Sequence, residues 1–542
     1  MKSIQIKKLY TIHSWVGIIT GILLFVIALT GAISVFGKPE IKIWANPDIR
    51  HGYTIDTKQL EQVIAKQAGF LPAEYRQEIL VFLPGVRGFA NLTILFEDHE
   101  AEDAVLLTFD NKTLEVNSRA EGSIADVFAS RQTDIADFIV DFHADLHLGR
   151  PIGLLLTGIL GLTLMASIVT GFVIHRQKLK QLFTFRPKKS TDITLADAHK
   201  VFGVWGLIFN GVIGFTGAFL GLATVIHIPA AAFVSFNGDQ EKLIETFNTT
   251  PPPTLTANYA ETQLAPVIEH AYSYDEDMSV DIITIYGYQD ENARIYVSGT
   301  GGDTVSTQIL AYEGATGEFT EAFGQFGKVG GVSAVILDLM FPLHFGNFGG
   351  EFVKIIWAVL GLSTALLPLS GMMLWIERGQ NAASPQHAAS TYDRFNRLVI
   401  GACGGALLAC AVLFPTQLIL YAMNITENNG FYIGTVFFAV WVVTAVYPFT
   451  LHSTAIVAKH FGYTLGGILV LTLPLNLVTT GDHAFSLLIN GSYVSGVMDL
   501  VLLSTGVLSI YITAKMNKQK AGVSTTEKNL KSPPSKPQRV QG

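Results

Sequence analysis

The sequence predicts a membrane all-α helical bundle of about eight transmembrane helices, the first four forming a duplicated four-helix bundle, with two small α+β domains outside the membrane. Three observations predict it. Of 542 residues, 49% are hydrophobic and only 15% charged, whereas a soluble domain averages about 25% charged. The charge is unevenly spread, long uncharged runs alternating with two polar stretches of roughly a hundred residues each, the size of small domains. Finally, the first four apolar runs repeat one another in pairs.

A bilayer core about 30 Å thick needs roughly 20 apolar residues in a helix. Eight segments qualify: 12–36, 152–174, 201–226, 352–376, 398–421, 432–457, 465–480 and 492–513. The first is too long for a removable signal peptide and lacks the small-residue cleavage site, so it is expected to remain as an anchor. With their flanks, the first four occupy 1–37, 138–176, 200–228 and 341–377, and the last four occupy 395–515. Lys2, Lys7 and Lys8 precede the first span, Arg176, Lys178, Lys180, Arg186, Lys188 and Lys189 follow the second, and Lys515, Lys518 and Lys520 follow the eighth. With alternating spans these fall on one side, which places both termini and the loop 177–199 in the cytoplasm. The polar stretches 38–137 and 229–340 then lie outside. The tail 516–542, rich in Ser, Pro and Lys, is expected to be disordered.

The net charge of −8, with Lys and Arg confined to particular loops, gives no stripe that would neutralise phosphates, which argues against nucleic acid as a partner. The only cysteines, Cys403 and Cys410, lie seven apart in one apolar run. That excludes a disulfide framework, an iron–sulfur cluster and a thiolate zinc site.

The duplication decides the architecture. His13, Gly17 and Thr30-Gly31-Ala32 of the first span recur at identical offsets as His199, Gly203 and Thr216-Gly217-Ala218 of the third. The second span is preceded by His143-Ala-Asp-Leu-His147-Leu-Gly149 and the fourth by Leu343-His344-Phe-Gly346, and they end in Thr170-Gly171 and Ser370-Gly371. Each intervening polar stretch reads as a small α+β unit: a helix at 56–68 with strands at 78–83, 90–96 and 104–109, then a helix at 264–272 with strands at 280–286, 293–297 and 308–312. Neither unit shows a metal cluster or a nucleophile with its base.

The histidines form two layers: His13, His175 and His199 near the cytoplasmic ends of the spans, and His143, His147 and His344 near the outer ends. Ionisable or ligating residues in membrane helices are costly and are kept where they have partners. Facing helices of a four-helix bundle can offer imidazoles to a macrocycle between them, and bis-imidazole ligation leaves haem iron six-coordinate and suited to electron transfer. Two b-type haems, one per layer, are therefore expected. The duplication pairs His13 with His199, and His344 with either His143 or His147. Ungapped alignment favours His147, whereas counting back from Gly171 and Gly371 brings His143 close to register, at 28 residues against 27. His175 faces Trp375 in the repeat and has no symmetric mate. His227 and His483 are expected to be structural, and Gly17, Gly21, Gly31, Gly203, Gly211, Gly214 and Gly217 to make room for a porphyrin or for close helix packing.

On His13-x-x-x-Gly17 with Thr30-Gly31, its repeat at His199, His143-x-x-Leu146-x-x-Gly149, Leu343-His344-x-Gly346, Gly361-Leu362 and Ser370-Gly371, the sequence resembles the PepSY-associated transmembrane helix family over roughly 1–380. The extramembrane units look like PepSY modules. Ala315-Thr316-Gly317-Glu318 is similar to the module's closing turn, whereas the first unit departs there with Asn111-Lys112-Thr113. The resemblance implies the bacterial inner membrane and the activity of a di-haem ferric-siderophore reductase. A cytoplasmic or quinol donor would supply electrons, and a ferric siderophore or other periplasmic acceptor would receive them. A membrane transporter, or a non-enzymatic PepSY sensor or regulatory anchor, is the alternative. Spans five to seven lack the embedded acidic residues of an ion-coupled pathway, and Asp499 lies near the outer end of the eighth.

Overall fold

The computed structural model describes residues 3–50, 56–85, 89–175, 184–187, 189–247, 250–275, 278–301, 307–326, 331–425 and 428–530. Of the charges that orient the chain, Lys2, Arg176, Lys178, Lys180 and Lys188 lie outside them. Among the described residues, eight helices are long and apolar enough to cross a membrane: Ile4–Ser34, Ile152–Ile174, Leu207–Phe236, Gly350–Gln380, Ala389–Ala422, Asn429–Phe449, Thr454–Thr480 and Tyr493–Met516. The chain is a multi-pass membrane protein.

The first span is α1 (Ser3–Ser34), followed by a π turn at Gly37–Ile41 and the one-turn α2 (Lys42–Ala45). Asp56 caps α3 (Thr57–Phe70), its carboxylate accepting the Gln59 N–H at 3.0 Å. Strands β1 (Glu78–Phe82), β2 (Thr93–Asp98), β3 (Asp103–Phe109) and β4 (Val116–Ser123) follow as a meander. The chain returns through α4 (Ile124–Ala129) and α5 (Ile135–Asp145), where Asp134 and Asp137 form a capping box, to the second span, α6 (Ile152–Ile174).

The second half repeats this order. Helices α7 (Thr191–Trp205) and α8 (Leu207–Leu222) meet at Gly206, and α9 (Ile228–Phe236), α10 (Gln240–Phe247) and α11 (Leu264–Tyr274) lead to β5 (Met278–Tyr286), β6 (Arg294–Gly301), β7 (Gln308–Glu313) and β8 (Phe319–Gly324). Helix α12 (Gly331–Phe345) then precedes α13 (Gly350–Gln380). In the bundle, α1 packs on α6 and α13, α8 on α6, and α7 on α13. The α6–α8 contact is close because glycines face each other: a Cβ on Gly221 would meet the Gly158 Cα at 2.7 Å.

The two extramembrane units are not separate. Strand β1 pairs antiparallel with β5, Glu78 opposite Tyr286, so both meanders join into one eight-stranded sheet, β4-β3-β2-β1-β5-β6-β7-β8. One face carries α3 and α11 over a core that includes Ile64, Ile79, Phe96, Ile268, Ile283 and Tyr312. Strands β4 and β8 escaped the sequence reading because they are largely exposed and polar.

The last four spans lie in α14 (Ala389–Ala422), α15 (Asn429–Val446), α16 (Thr454–Thr480) and α18 (Tyr493–Leu530), with the short α17 (Ala484–Ile489) between the last two; α14 packs on α15, α16 and α1, α16 on α18, and α14 and α18 meet the segment after α1. Trp44 of α2 is fully buried and donates its indole N–H to Asp499 at 2.8 Å, and Arg50 donates to Asn476 at 2.8 Å. Gln417 donates to the Ala45 carbonyl at 3.2 Å, and Lys42 reaches Asp134 at 2.9 Å and Asp137 at 2.6 Å. The expected domain boundary at 38 is thus displaced: residues 41–50 belong to the membrane body, because burying their polar groups requires Asp499, Asn476 and Gln417. Helix α18 also continues to Leu530, past the tail boundary at 516, and 531–542 lie outside the described residues.

Candidate functional site

Four of the five predicted histidines meet in two pairs. The rings of His13 on α1 and His199 on α7 have centroids 6.1 Å apart, and those of His143 on α5 and His344 on α12 are 6.0 Å apart. Of the four, His13 alone lies on a span; His199, His143 and His344 sit on the helices leading into theirs.

Each ring docks the same way, against a helix of its own half. His13 bonds Thr170 of α6 through Nδ1 at 3.0 Å, and a Cβ on the following Gly171 would meet its Cε1 at 3.1 Å. Its symmetry mate His199 bonds the Leu367 carbonyl at 3.0 Å and Ser370 at 3.2 Å on α13, with Gly371 beneath the ring at 3.1 Å. His143 bonds the Ile27 carbonyl of α1 at 2.9 Å and rests on Gly31, whose Cβ would come within 2.7 Å. His344 bonds Thr216 of α8 at 3.0 Å over Gly217 at 3.2 Å. Thr170-Gly171, Ser370-Gly371 and Thr216-Gly217, legible as landmarks, are therefore receptors for imidazoles, one residue holding the ring edge and the next leaving room for it, whereas at Thr30-Gly31 only the glycine serves, the Ile27 carbonyl one turn earlier holding the ring.

This docking sets the tautomers. The hydroxyls of Thr170 and Thr216 donate to the carbonyls of Ala166 and Val212, both at 2.7 Å, so their oxygens accept from the imidazoles. Carbonyl acceptors impose the same on His143 and His199. Every neutral ring thus carries its proton on Nδ1 and leaves the Nε2 lone pair for a ligand, as in metal-binding histidines whose other ring nitrogen donates to a protein oxygen. Two imidazoles sharing one metal through bonds of about 2 Å have ring centres roughly 6 Å apart, so both pairs fit bis-imidazole ligation of one iron each. Gly17, one turn along α1 from His13, is open, since a Cβ there would meet nothing within 4 Å. Gly21 and Gly214 instead receive Met372 and Met165, at 2.7 and 3.2 Å, and Gly203 faces Leu367 at 3.5 Å.

His147 is not brought to His344. Helix α5 ends at Leu146 in the left-handed conformation, and His147 follows with φ 53°, which turns its ring back onto Phe138 at 4.4 Å and its Nε2 to the Phe138 carbonyl at 3.1 Å. His175 lies just past α6 and joins neither pair. His227 stacks on Phe219 at 4.8 Å, and His483 caps α17 by accepting the Ser486 N–H at 3.2 Å. Cys403 and Cys410 are buried in α14.

The two layers lie far apart. Along α1, Ile27 stands 14 residues beyond His13, about 21 Å at 1.5 Å per residue.

Residues 10–378 match the sequence profile of the PepSY-associated TM region, a stretch that contains all four paired histidines. A relative is the uncharacterized protein PA4219 of Pseudomonas aeruginosa, 24% identical over 298 residues, which cover 51% of this chain and 71% of that protein.

Proposed function

The chain belongs to the PepSY-associated transmembrane family, and from that premise we propose that it conducts electrons across the bacterial inner membrane through two b-type haems and reduces a periplasmic acceptor, the ferric iron of a siderophore. One observation carries the reading: two imidazole pairs of ligating tautomer, each about 6 Å apart, at two depths of one bundle.

His13 and His199 would hold one haem, His143 and His344 the other. When bound, these groups supply reversible one-electron chemistry at iron. The protein's own part is to fix the rings. Thr170, Leu367, Ser370, Ile27 and Thr216 hold the Nδ1 protons, and the glycines let each ring lie flush with its helix. Reduction releases siderophore iron because Fe(III) prefers hard oxygen ligands that hold Fe(II) more weakly. A cytoplasmic reductant or a membrane quinol would supply the electrons.

The transporter alternative finds little support. The embedded Asp499 and Asn476 are engaged with Trp44, Arg50 and each other, which ties helices together.

The test is an absorption spectrum and pyridine haemochrome assay of detergent-purified protein expressed with ample haem. Two haems b per chain, reducible by dithionite and reoxidised by a ferric siderophore, are expected. A protein without haem under those conditions would overturn the reading.

A further inference from the structure

Outside the membrane, the hairpin register places two acidic side chains together. Glu78 opens β1 and Glu97 lies directly opposite it on β2, so both project from the sheet face away from α3 and α11. His99, just past β2, turns its Nε2 to the Glu78 carboxylate at 2.8 Å. One ligand atom from each of Glu78, Glu97 and His99 lies within 4.8 Å of the others.

A second observation separates this cluster from ordinary surface acids. Glu97 is only 8% exposed, yet among the described residues no hydrogen-bond donor reaches its carboxylate. A largely buried side chain that carries a carboxylate beside a second carboxylate, with no hydrogen bond of its own, is normally matched by a cation. Glu78 is better supported: His99 faces it, and Tyr286 of the second half is its cross-strand neighbour. Glu97 alone is aimed into the cluster without support.

We propose that Glu78, Glu97 and His99 form a binding site for a divalent first-row transition cation. Two carboxylates and one imidazole suit Mn(II), Fe(II) or Zn(II), and the nitrogen donor disfavours Mg(II) and Ca(II). The His99 side chain is 47% exposed, which opens the site to solvent for cation uptake. Ligands sharing a cation at about 2.1 Å stand roughly 3 Å apart, so modest rotation of these side chains closes the set. Tyr286 lies opposite Glu78 across the β1–β5 seam, so an occupied site sits at the junction of the two halves. The site is independent of the haem reading, because none of its residues touches the paired histidines.

The experiment uses the full chain, stripped with chelator and titrated with Mn(II), read by calorimetry and by the electron paramagnetic resonance of bound Mn(II), and repeated with Zn(II). One equivalent is expected to bind, with affinity lowered at least tenfold in Glu97→Gln and Glu78→Gln. Glu97→Gln preserves shape and removes a repelling charge, and an unchanged haem content in both variants would show that the rest of the protein is intact. Isotherms that are identical in wild type and Glu97→Gln, or no uptake by the wild type, would overturn the proposal and leave a carboxyl pair sharing a proton.

Discussion

Gly31→Ala tests whether the paired imidazoles are held for ligation. The new Cβ would sit 2.7 Å from His143 Cε1 and 3.1 Å from its Nδ1. Ordinary contact lies near 3.5 Å, so the ring must retreat by about 0.8 Å, which breaks the 2.9 Å bond to the Ile27 carbonyl. Mutation of such outer partners lowers metal affinity about 10- to 100-fold, roughly 1.4–2.7 kcal/mol. At Gly171, Gly371 and Gly217 the corresponding contacts are 3.1, 3.1 and 3.2 Å, so alanine there asks for only a few tenths of an ångström. The expected result is graded: Gly31→Ala loses the haem of His143 and His344 and keeps the other, whereas Gly171→Ala, Gly371→Ala and Gly217→Ala retain both with shifted potentials. Haem-to-protein ratio and potentiometric titration read both. Gly69→Ala, where a Cβ meets nothing within 4 Å, serves as the control. Full haem and two unchanged potentials in Gly31→Ala would refute the argument, since the displaced ring could not then be a ligand.

Thr216→Val removes the acceptor for the His344 Nδ1–H, whereas Ser370→Ala leaves His199 the Leu367 carbonyl. Losing that bond makes the imidazole a weaker donor to Fe(III), so Thr216→Val should raise one midpoint potential and Ser370→Ala should change the other far less; equal shifts would contradict the docking scheme. Arg50→Ala should destabilise the detergent-solubilised protein by about 3–5 kcal/mol, the usual cost of breaking a buried charge network, with the haem spectrum unchanged; a negligible shift in thermal unfolding would mean that the segment after α1 does not anchor the last four helices. Burial, and then the neighbouring Glu78 carboxylate, push the Glu97 carboxyl up to about 7 from an ordinary 4.5. The folded protein therefore holds a proton there that the unfolded chain has already lost, and the stabilisation, complete below about pH 4.5, disappears as pH rises through about 7. With chelator present, Glu97→Gln and wild type should unfold at similar temperatures near pH 4.5 and diverge above pH 7 with the variant higher; parallel curves would count against a strained carboxylate.

Much of this architecture is written in local pattern, and the rest depends on what the chain does at a distance. The spans follow from apolar length alone, and the pairing of His13 with His199 follows from identical offsets to a shared Thr-Gly. The choice between His143 and His147 does not, because it turns on one backbone event: α5 stops at Leu146 in a left-handed conformation, and a helix continued by one more turn would present both on one face. Landmark counting came nearer than ungapped alignment because Gly171 and Gly371 occupy equivalent places beneath His13 and His199, whereas ungapped matching assumes turns of equal length and those at 146–151 and 346–349 differ.

The same reasoning separates the extramembrane features. Apolar alternation marks β1 to β3 and β5 to β7, but the β1–β5 seam joins strands about two hundred residues apart in sequence, and read alone the first unit offers β1 as an open edge and the second β5. An exposed edge strand invites pairing, and here the duplicated partner supplies it. Glu78 and Glu97 become neighbours only through hairpin register, and a one-residue slip would send one of them to the opposite face. Register is fixed by Ile79, Val81, Ile94 and Phe96, which are fully buried against the helices. The apolar core therefore holds the two carboxylates together, and a protein with no use for the cluster would lose little by replacing Glu97 with threonine, a better strand former that needs no counter-ion.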